Sequence, residues 1–248
     1  MIINHMRMGS RALGMQTSVN VLLPDYPQPN LPILLLLHGL GDDENTWLEQ
    51  TRLTAVIGER QLAVIMPRVD RSYYTDTVAS GYFKFVSQEL LGRCRQVFSL
   101  SSLASQTFVG GVSMGGFGAL KVALNKPDDF AGVLSFSGVT DLIKQWQLNP
   151  DRDDWFKSMY GTQAKMLETI DDLSGLAANW PQNKRKPIVW QFCGQSDPFN
   201  KMNAEFHKQL ILHQFQTTYL TLPGAHTWSV WNRSLDSAMA FLDNQLFK

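Results

Sequence analysis

The chain has 248 residues with 22 basic and 22 acidic side chains, so its formal net charge is zero, and 44% of its residues are hydrophobic. This composition supplies enough apolar material for a sizeable core and too few charges for a disordered polymer. The balanced and scattered charge favours no polyanion, so we expect no nucleic-acid partner.

Apolar runs alternate with stretches of helical periodicity along the whole chain. This alternation predicts an α/β protein with a mostly parallel central sheet and helices on both faces. The predicted strands comprise residues 16–23, 32–37, 62–67, 107–112, 130–136, 187–193 and 217–222. The predicted helices comprise residues 45–61, 81–98, 116–123, 203–215 and 227–247.

One segment, residues 139–186, interrupts this alternation. It has no clear strand pattern, but it contains several large aromatic side chains: Trp146, Trp155, Phe156, Tyr160 and Trp180. A segment this long between neighbouring strands is usually functional. Because no repeat or linker interrupts the chain, we expect residues 1–248 to form a single domain in which residues 139–186 are a cap or insertion.

Residues 111–115 have the sequence GVSMG, which fits the pattern G-x-S-x-G. The pattern follows a predicted strand and precedes a helix rich in glycine and alanine, which is the strand–turn–helix setting it requires. Glycines at 111 and 115 would leave space for a strained turn that exposes the hydroxyl of Ser113. Ser113 is therefore a candidate nucleophile; the alternative is a tight packing turn with a capping serine.

A serine nucleophile needs backbone N–H groups that stabilise the developing oxyanion. One is expected from Met114, directly after the serine, and a second from the loop that follows an earlier strand. The strand that ends at residue 37 leads into His38-Gly39-Leu40-Gly41, in which the N–H of Leu40 is the candidate. We expect His38 to shape this loop, and Asp42 and Asp43 to cap the helix that follows.

The candidate base is a histidine that follows Ser113 in the chain. Three histidines meet this condition. His207 and His213 fall within a predicted helix, whereas His226 follows the last predicted strand. Sheets of this type place their chemistry at the carboxyl ends of strands, so we predict His226 as the base.

The candidate acid is Asp197, which follows the predicted strand ending at residue 193. A simpler interpretation makes it a helix N-cap before Pro198. The order Ser, Asp, His favours Asp197 as the acid, because a carboxylate is needed one strand before the histidine loop.

Several blocks of the chain resemble the tributyrin esterase (EstA-like) group of the esterase D and S-formylglutathione hydrolase superfamily. They are residues 38–41 (HGLG), 45–47 (NTW), 72–76 (SYYTD), 111–116, 193–197 and 226–228 (HTW), in the family's order. The resemblance extends from about Gln16 to the end of the sequence and is weakest in residues 140–186.

The resemblance implies an α/β-hydrolase fold and short-chain acyl esters as substrates. It matches Ser113, Asp197 and His226 to the catalytic triad, and Leu40 and Met114 to the oxyanion-hole residues. Residues 73–76 resemble a stretch that lines the family's active-site mouth. The candidate substrate-binding residues are Trp47, Tyr73 and Tyr74.

These observations predict a serine carboxylesterase that hydrolyses acetyl to butyryl esters through an acyl-enzyme, without a metal or organic cofactor. An S-formylglutathione-type thioesterase, a feruloyl or other aryl esterase, and an acyltransferase remain open within the enzyme class. A non-catalytic binding module on a hydrolase scaffold is the alternative from another class.

The remaining features concern location and assembly. Cys94 and Cys193 are expected to be buried, reduced thiols, since two cysteines make no disulfide framework. Residues 1–8 lack a signal-peptide pattern and the longest aliphatic run, residues 33–37, is too short to span a bilayer. We therefore expect a cytoplasmic protein with a small-molecule ester as its partner and no membrane contact. A homo-oligomer and a monomer both remain open.

Overall fold

The computed structural model describes residues 1–247, which contain one eight-stranded sheet. The strands are β1 (Ile2–Ser10), β2 (Met15–Leu23), β3 (Ile33–Leu37), β4 (Ala63–Pro67), β5 (Thr107–Val112), β6 (Gly132–Phe136), β7 (Ile188–Gly194) and β8 (Thr217–Leu222). Their order in the sheet is β1-β2-β4-β3-β5-β6-β7-β8. The hairpin of β1 and β2 is antiparallel, β2 pairs antiparallel with β4, and the other neighbouring strands are parallel. The predicted mostly parallel sheet is confirmed.

Helices connect most of these strands. Tyr82–Lys84, the π-helical Phe85–Glu89 and Leu90–Phe98 follow one another directly and are together called α3. The others are α1 (Thr46–Gln50), α2 (Leu53–Ile57), α4 (Met114–Asn125), α5 (Leu142–Gln147), α6 (Asp153–Tyr160), α7 (Gln163–Leu167), α8 (Leu173–Ala178), α9 (Asn200–Leu212) and α10 (Trp228–Leu246).

Strand β3 shows why the sheet is covered on both faces. Ile33, Leu35 and Leu37 join one apolar cluster, while Leu34 and Leu36 join the other. The first cluster includes side chains of α3, α4, α9 and the 139–186 segment, and the second includes side chains of α1, α2 and α10. A strand buried on both faces has a continuous apolar sequence, which is the pattern that predicted it.

Two elements differ from the sequence-based expectation. The helix expected at 45–61 is two short helices, because the hydroxyl of Thr51 donates to the carbonyl of Trp47 and accepts the N–H of Leu53. Such side-chain bonds to the backbone compete with helix continuation. Strand β1 was not predicted, since its exposed positions include His5 and Arg7 and leave no clear apolar pattern.

The segment 139–186 forms α5 to α8 and contains no strand. Its aromatic side chains pack among themselves, with Trp146 stacked on Phe156 at 5.3 Å between ring centroids. Trp155 and Phe156 also contact Tyr73, at 5.5 and 5.8 Å. The segment therefore packs directly over the loop that precedes α3.

Two further sequence expectations concern the thiols and the membrane. Cys94 and Cys193 are unpaired and buried, and burial raises the pKa of each thiol to about 12. Neither thiol is therefore reactive at neutral pH. Among residues 1–247, no helix is both long enough and apolar enough to cross a membrane.

The turn between β1 and β2 is held by one carboxylate. Glu89 accepts the hydroxyl of Ser10 at 2.7 Å and the N–H groups of Arg11 and Ala12 at 2.8 and 3.0 Å. Burial raises the pKa of Glu89, but these hydrogen bonds outweigh it, and the pKa lies below its ordinary value. The carboxylate thus stabilises the folded state at neutral pH.

Replacement of Glu89 by Gln should lower the free energy of unfolding at pH 7 by about 1 kcal/mol, because one charged acceptor is lost. The difference should shrink as the pH falls through the lowered pKa of the wild-type carboxyl group. Urea unfolding at several pH values measures both effects, with the exposed Glu59→Gln as the control. Equal stability of the two variants at pH 7 would contradict the assignment.

Candidate active site

Ser113 lies in the turn between β5 and α4 with φ 57° and ψ −115°. A residue with a side chain rarely adopts this conformation, which costs on the order of 1–3 kcal/mol. A Cβ at position 111 would lie 2.3 Å from the carbonyl oxygen of Gly115, and one at position 115 would lie 2.4 Å from that of Leu37. Both glycines are therefore required by close backbone approach, as the sequence predicted.

A continuous hydrogen-bond chain joins Ser113 to His226 and Asp197. His226 Nε2 lies 2.9 Å from Ser113 Oγ, and His226 Nδ1 lies 2.8 Å from Asp197 Oδ2. Since an ionised carboxylate only accepts, Nδ1 carries the proton and Nε2 is free to accept the serine hydroxyl. Asp197 lies in the loop after β7 and His226 in the loop after β8, and these loops bring both predicted side chains to Ser113.

Further contacts fix the acid and the imidazole. Asp197 is buried, and its Oδ1 accepts the N–H of Phe199 at 2.8 Å. The rings of Phe199 and Trp231 meet the imidazole of His226 edge to face, with centroids at 4.7 and 4.8 Å. Neither ring was predicted to lie at the site, although each follows a predicted catalytic residue by only a few positions.

The loop after β3 is held by the side chain of His38. Its Nδ1–H donates to the carbonyl of Gly39 at 2.8 Å, and its Nε2 accepts the N–H of Val69 at 3.0 Å. Both bonds need the neutral ring, and burial lowers the pKa of His38. These contacts are those of a residue that shapes the loop.

The two aspartates of this loop have different roles. Asp43 accepts the N–H of Asn45 at 2.8 Å in the turn before α1, while the N-cap of α1 is Asn45 and has no side-chain cap hydrogen bond. Asp42 was expected to cap the same helix, but its Oδ2 instead accepts the N–H of Gly39 at 3.2 Å. The expectation that these aspartates cap α1 was wrong, because Asp42 turns back into the loop and Asp43 binds the backbone of the turn before the helix.

The candidate oxyanion donors lie beside the serine. A Cβ at Gly39 would be 3.6 Å from Ser113 Cβ, so the loop passes next to the nucleophile turn. The N–H groups of Leu40 and Met114 donate to no other group among residues 1–247. They therefore remain candidates for binding a substrate oxygen.

Trp47, Tyr73 and Tyr74 were predicted to contact the substrate, but their exposed fractions are 1, 1 and 0%. The indole N–H of Trp47 donates to the carbonyl of Leu37 at 3.0 Å, and the phenol of Tyr74 donates to that of His38 at 2.8 Å. The structure corrects the expectation: Trp47 and Tyr74 support the end of β3 and its loop from behind. Tyr73 is instead buried among aromatic rings, those of Phe117, Trp155 and Phe156.

The overall architecture, a mostly parallel sheet with the candidate residues on loops at its carboxyl edge, is that of the α/β-hydrolases. Residues 10–242 match the family model described as "Putative esterase", and the chain belongs to this esterase family. An acetyl esterase of Caldicellulosiruptor saccharolyticus is 25% identical over 98% of this chain and 98% of its own.

Two solved Staphylococcus aureus structures are also similar over nearly the whole chain. The fluorophosphonate-binding serine hydrolase FphF is 27% identical with a TM-score of 0.88, covering 97% of this chain and 98% of its own. The S-formylglutathione hydrolase FrmB is 28% identical with a TM-score of 0.87 and the same coverage. The predicted α/β-hydrolase fold and carboxylic ester hydrolase class are confirmed.

The buried neutral His38 makes the stability of the protein pH-dependent. Its folded pKa lies below that of an unfolded histidine, about 6.5. The unfolded chain therefore takes up a proton before the folded one does, and stability falls as the pH drops below about 6.5, by at most about 1.4 kcal/mol per pH unit for this group.

In a His38→Asn variant the free energy of unfolding should depend less on pH between about 6.5 and 5. The partly exposed His213 gives the control as His213→Asn, which should leave the slope nearly unchanged. Urea titrations across this pH range give the slopes. An unchanged slope in His38→Asn would rule out the buried neutral ring as a source of the pH dependence.

Proposed function

We propose that the protein is a serine carboxylesterase that hydrolyses short-chain acyl esters, from acetyl to butyryl, with Ser113, His226 and Asp197 as its triad. The observation that carries this proposal is the unbroken hydrogen-bond chain of 2.9 and 2.8 Å that starts at a serine in a strained turn. Membership of the esterase family supports the same reaction class.

In the first half-reaction, Ser113 Oγ attacks the ester carbonyl carbon while His226 Nε2 takes the hydroxyl proton. The carbonyl oxygen becomes an oxyanion, which the N–H groups of Leu40 and Met114 stabilise. When the tetrahedral intermediate collapses, His226 gives its proton to the departing alcohol. The products are the free alcohol and an acyl group on Ser113.

In the second half-reaction, His226 takes a proton from water, and the hydroxide attacks the acyl carbon. Collapse of this second intermediate releases the carboxylic acid and returns the proton to Ser113. Asp197 remains ionised throughout and holds the imidazole in the tautomer that both steps need. Protein groups and water supply every atom that moves, so the reaction requires no cofactor.

The preference for small acyl groups rests on the aromatic side chains near the nucleophile. Phe117 follows Ser113 by one turn of α4, and its ring lies 5.8 Å from that of Tyr73. Trp155 and Phe156 of residues 139–186 also pack against Tyr73. We propose that this segment is a cap within a single domain and that its aromatic side chains limit the acyl chain, which agrees with the resemblance to tributyrin esterases.

A second candidate is an S-formylglutathione-type thioesterase, which the similarity to FrmB favours. Both reactions would form an acyl-enzyme on Ser113, but they differ in the acyl group, which is formyl in the thioester, and in the leaving group, which is a thiol instead of an alcohol. Parallel assays with an acetyl ester, a formyl thioester and methyl ferulate separate these activities and the aryl esterase alternative.

We also propose that the enzyme acts in the cytoplasm on a small-molecule ester.

Replacement of Ser113 by Ala should lower kcat for p-nitrophenyl butyrate at least about 10⁴-fold, because the nucleophile is lost. Steady-state hydrolysis at pH 7.5 measures the effect. The matched control is Ser102→Ala, an exposed serine before β5, which should keep wild-type activity. Substantial hydrolysis by the Ser113→Ala variant would disprove the proposed nucleophile.

In a p-nitrophenyl ester series, kcat/KM should fall from butyrate to octanoate in the wild-type enzyme. Trp155→Ala should reduce this fall, because it removes a half-buried ring from the proposed wall. Leu148→Ala, at an exposed position of the same segment, is the control. Activity that rises with chain length in the wild type would contradict the proposed limit.

A further inference from the structure

A fully buried lysine lies in the nucleophile helix. Lys121 has an exposed fraction of 0% and is followed and preceded in α4 by apolar residues. Its Nζ donates to the carbonyl of Tyr74 at 2.8 Å and to Thr75 Oγ1 at 2.9 Å, and it lies 2.5 Å from Asp171 Oδ1. All three ammonium protons therefore have acceptors. The proposed reaction gives this charge no part.

The partner carboxylate comes from the proposed cap. Asp171 belongs to residues 139–186, is 3% exposed and also accepts the hydroxyl of Thr169 at 3.2 Å. The phenol of Tyr160, from the same segment, lies 2.9 Å from Thr75 Oγ1. We call Lys121, Asp171, Tyr74, Thr75 and Tyr160 the Lys121 junction. Two points of the cap thus reach the loop before α3 and the nucleophile helix at one place.

Tyr74 connects this junction to the oxyanion loop. Lys121 holds its carbonyl, while its phenol donates to the carbonyl of His38 at 2.8 Å. A Cβ at Gly118 would lie 2.3 Å from the ring, so the ring packs flush against α4. Burial raises the pKa of Tyr74 well above its ordinary value, which keeps the phenol a donor.

The backbone of this loop also depends on its surroundings. Tyr73 and Tyr74 have φ angles of 46° and 53°. Two successive residues with side chains in the left-handed region persist only where neighbouring groups hold them. The bond from Lys121 to the carbonyl of Tyr74 is such a restraint, and it acts on the residue whose side chain reaches His38.

We propose that Lys121 and Asp171 are positioning residues which, through Tyr74, set the oxyanion loop 38–41 relative to Ser113 and thereby couple the cap to the oxyanion hole. The inference rests on the proposed function, since it concerns the same site. A buried ion pair is seldom more stabilising than apolar side chains of similar volume. The presence of the Lys121–Asp171 ion pair beside α4 is therefore better explained by the position that it imposes on Tyr74.

The consequence for catalysis follows from how an oxyanion hole acts. Its N–H donors stabilise the transition state only when they lie at hydrogen-bond distance from the developing oxyanion. Small displacements of catalytic groups reduce the rate without abolishing substrate binding. Loss of the junction should therefore act on kcat, with KM nearly unchanged.

The test removes both charges together, because a lone buried charge would destabilise the fold. In the Lys121→Met/Asp171→Leu variant, kcat for p-nitrophenyl acetate should fall about tenfold while KM stays within about twofold. Tyr74→Phe keeps the ring on Gly118 and removes only the hydroxyl, and its kcat should fall similarly. The control variant, Arg60→Met/Asp243→Leu, removes a partly exposed ion pair between the loop before β4 and α10. Its kcat should equal that of the wild type.

Combining Tyr74→Phe with the Lys121→Met/Asp171→Leu pair distinguishes positioning from general destabilisation. Because both changes act on one loop, the combined loss in kcat should be little larger than either alone. Wild-type kcat in the pair variant, or losses that multiply in the combination, would overturn the proposal. Unfolding temperatures of all variants are measured alongside.

Amide hydrogen exchange of residues 38–42 provides a readout that does not depend on activity. Exchange there should be faster in the pair variant and in Tyr74→Phe, and unchanged in the Arg60→Met/Asp243→Leu control. Unchanged exchange in both test variants would overturn the coupling. An inactive wild type, or an active Ser113→Ala variant, would instead refute the proposed function. The hydrogen-exchange measurement would still test the coupling in that case.

Discussion

The close approach of two backbone turns at the carboxyl edge of the sheet determines the rest of the site. The turn that carries Ser113 packs so tightly on the end of β3 that position 115 has no space for a Cβ beside the carbonyl of Leu37. This contact fixes the nucleophile turn against the loop with the candidate oxyanion donors. It also accounts for the strained φ and ψ of Ser113, because only tight surroundings hold such a conformation.

The parallel sheet supplies the remaining geometry. Strands β3, β5, β7 and β8 run in the same direction, so the loops after them emerge at one edge. Asp197 and His226 lie in the loops that follow the neighbouring strands β7 and β8. This explains how residues so far apart in sequence form one hydrogen-bond chain with Ser113. The edge-to-face packing of Phe199 and Trp231 then restrains the imidazole.

The sequence predicted what depends on local pattern and strand order. The buried strands were continuous apolar runs, and the glycines around Ser113 indicated a turn without space for side chains. The order Ser, Asp, His along alternating strands selected Asp197 and His226, and the structure brings these side chains within hydrogen-bond distance of one another. Their catalytic roles remain proposals.

What the sequence could not provide depends on contacts between distant segments. Nothing local distinguishes Asp42, which turns back to Gly39, from Asp43, which accepts the N–H of Asn45 before α1. Tyr74 lies in a stretch that resembles the family's active-site mouth, yet its phenol is buried and donates to the carbonyl of His38. Lys121 and Asp171 are fifty residues apart in the sequence. Their charges meet only because residues 139–186 pack against α4.

Acylation of Ser113 during turnover is the step on which the proposed mechanism depends. Mass spectrometry of enzyme quenched early in the reaction with p-nitrophenyl butyrate tests it directly, because the acyl group stays on its peptide. We expect a butyryl group on the peptide that contains Ser113, formed in a burst with one equivalent of nitrophenol. Turnover with no acyl group on that peptide, or with the group on another residue, would contradict it.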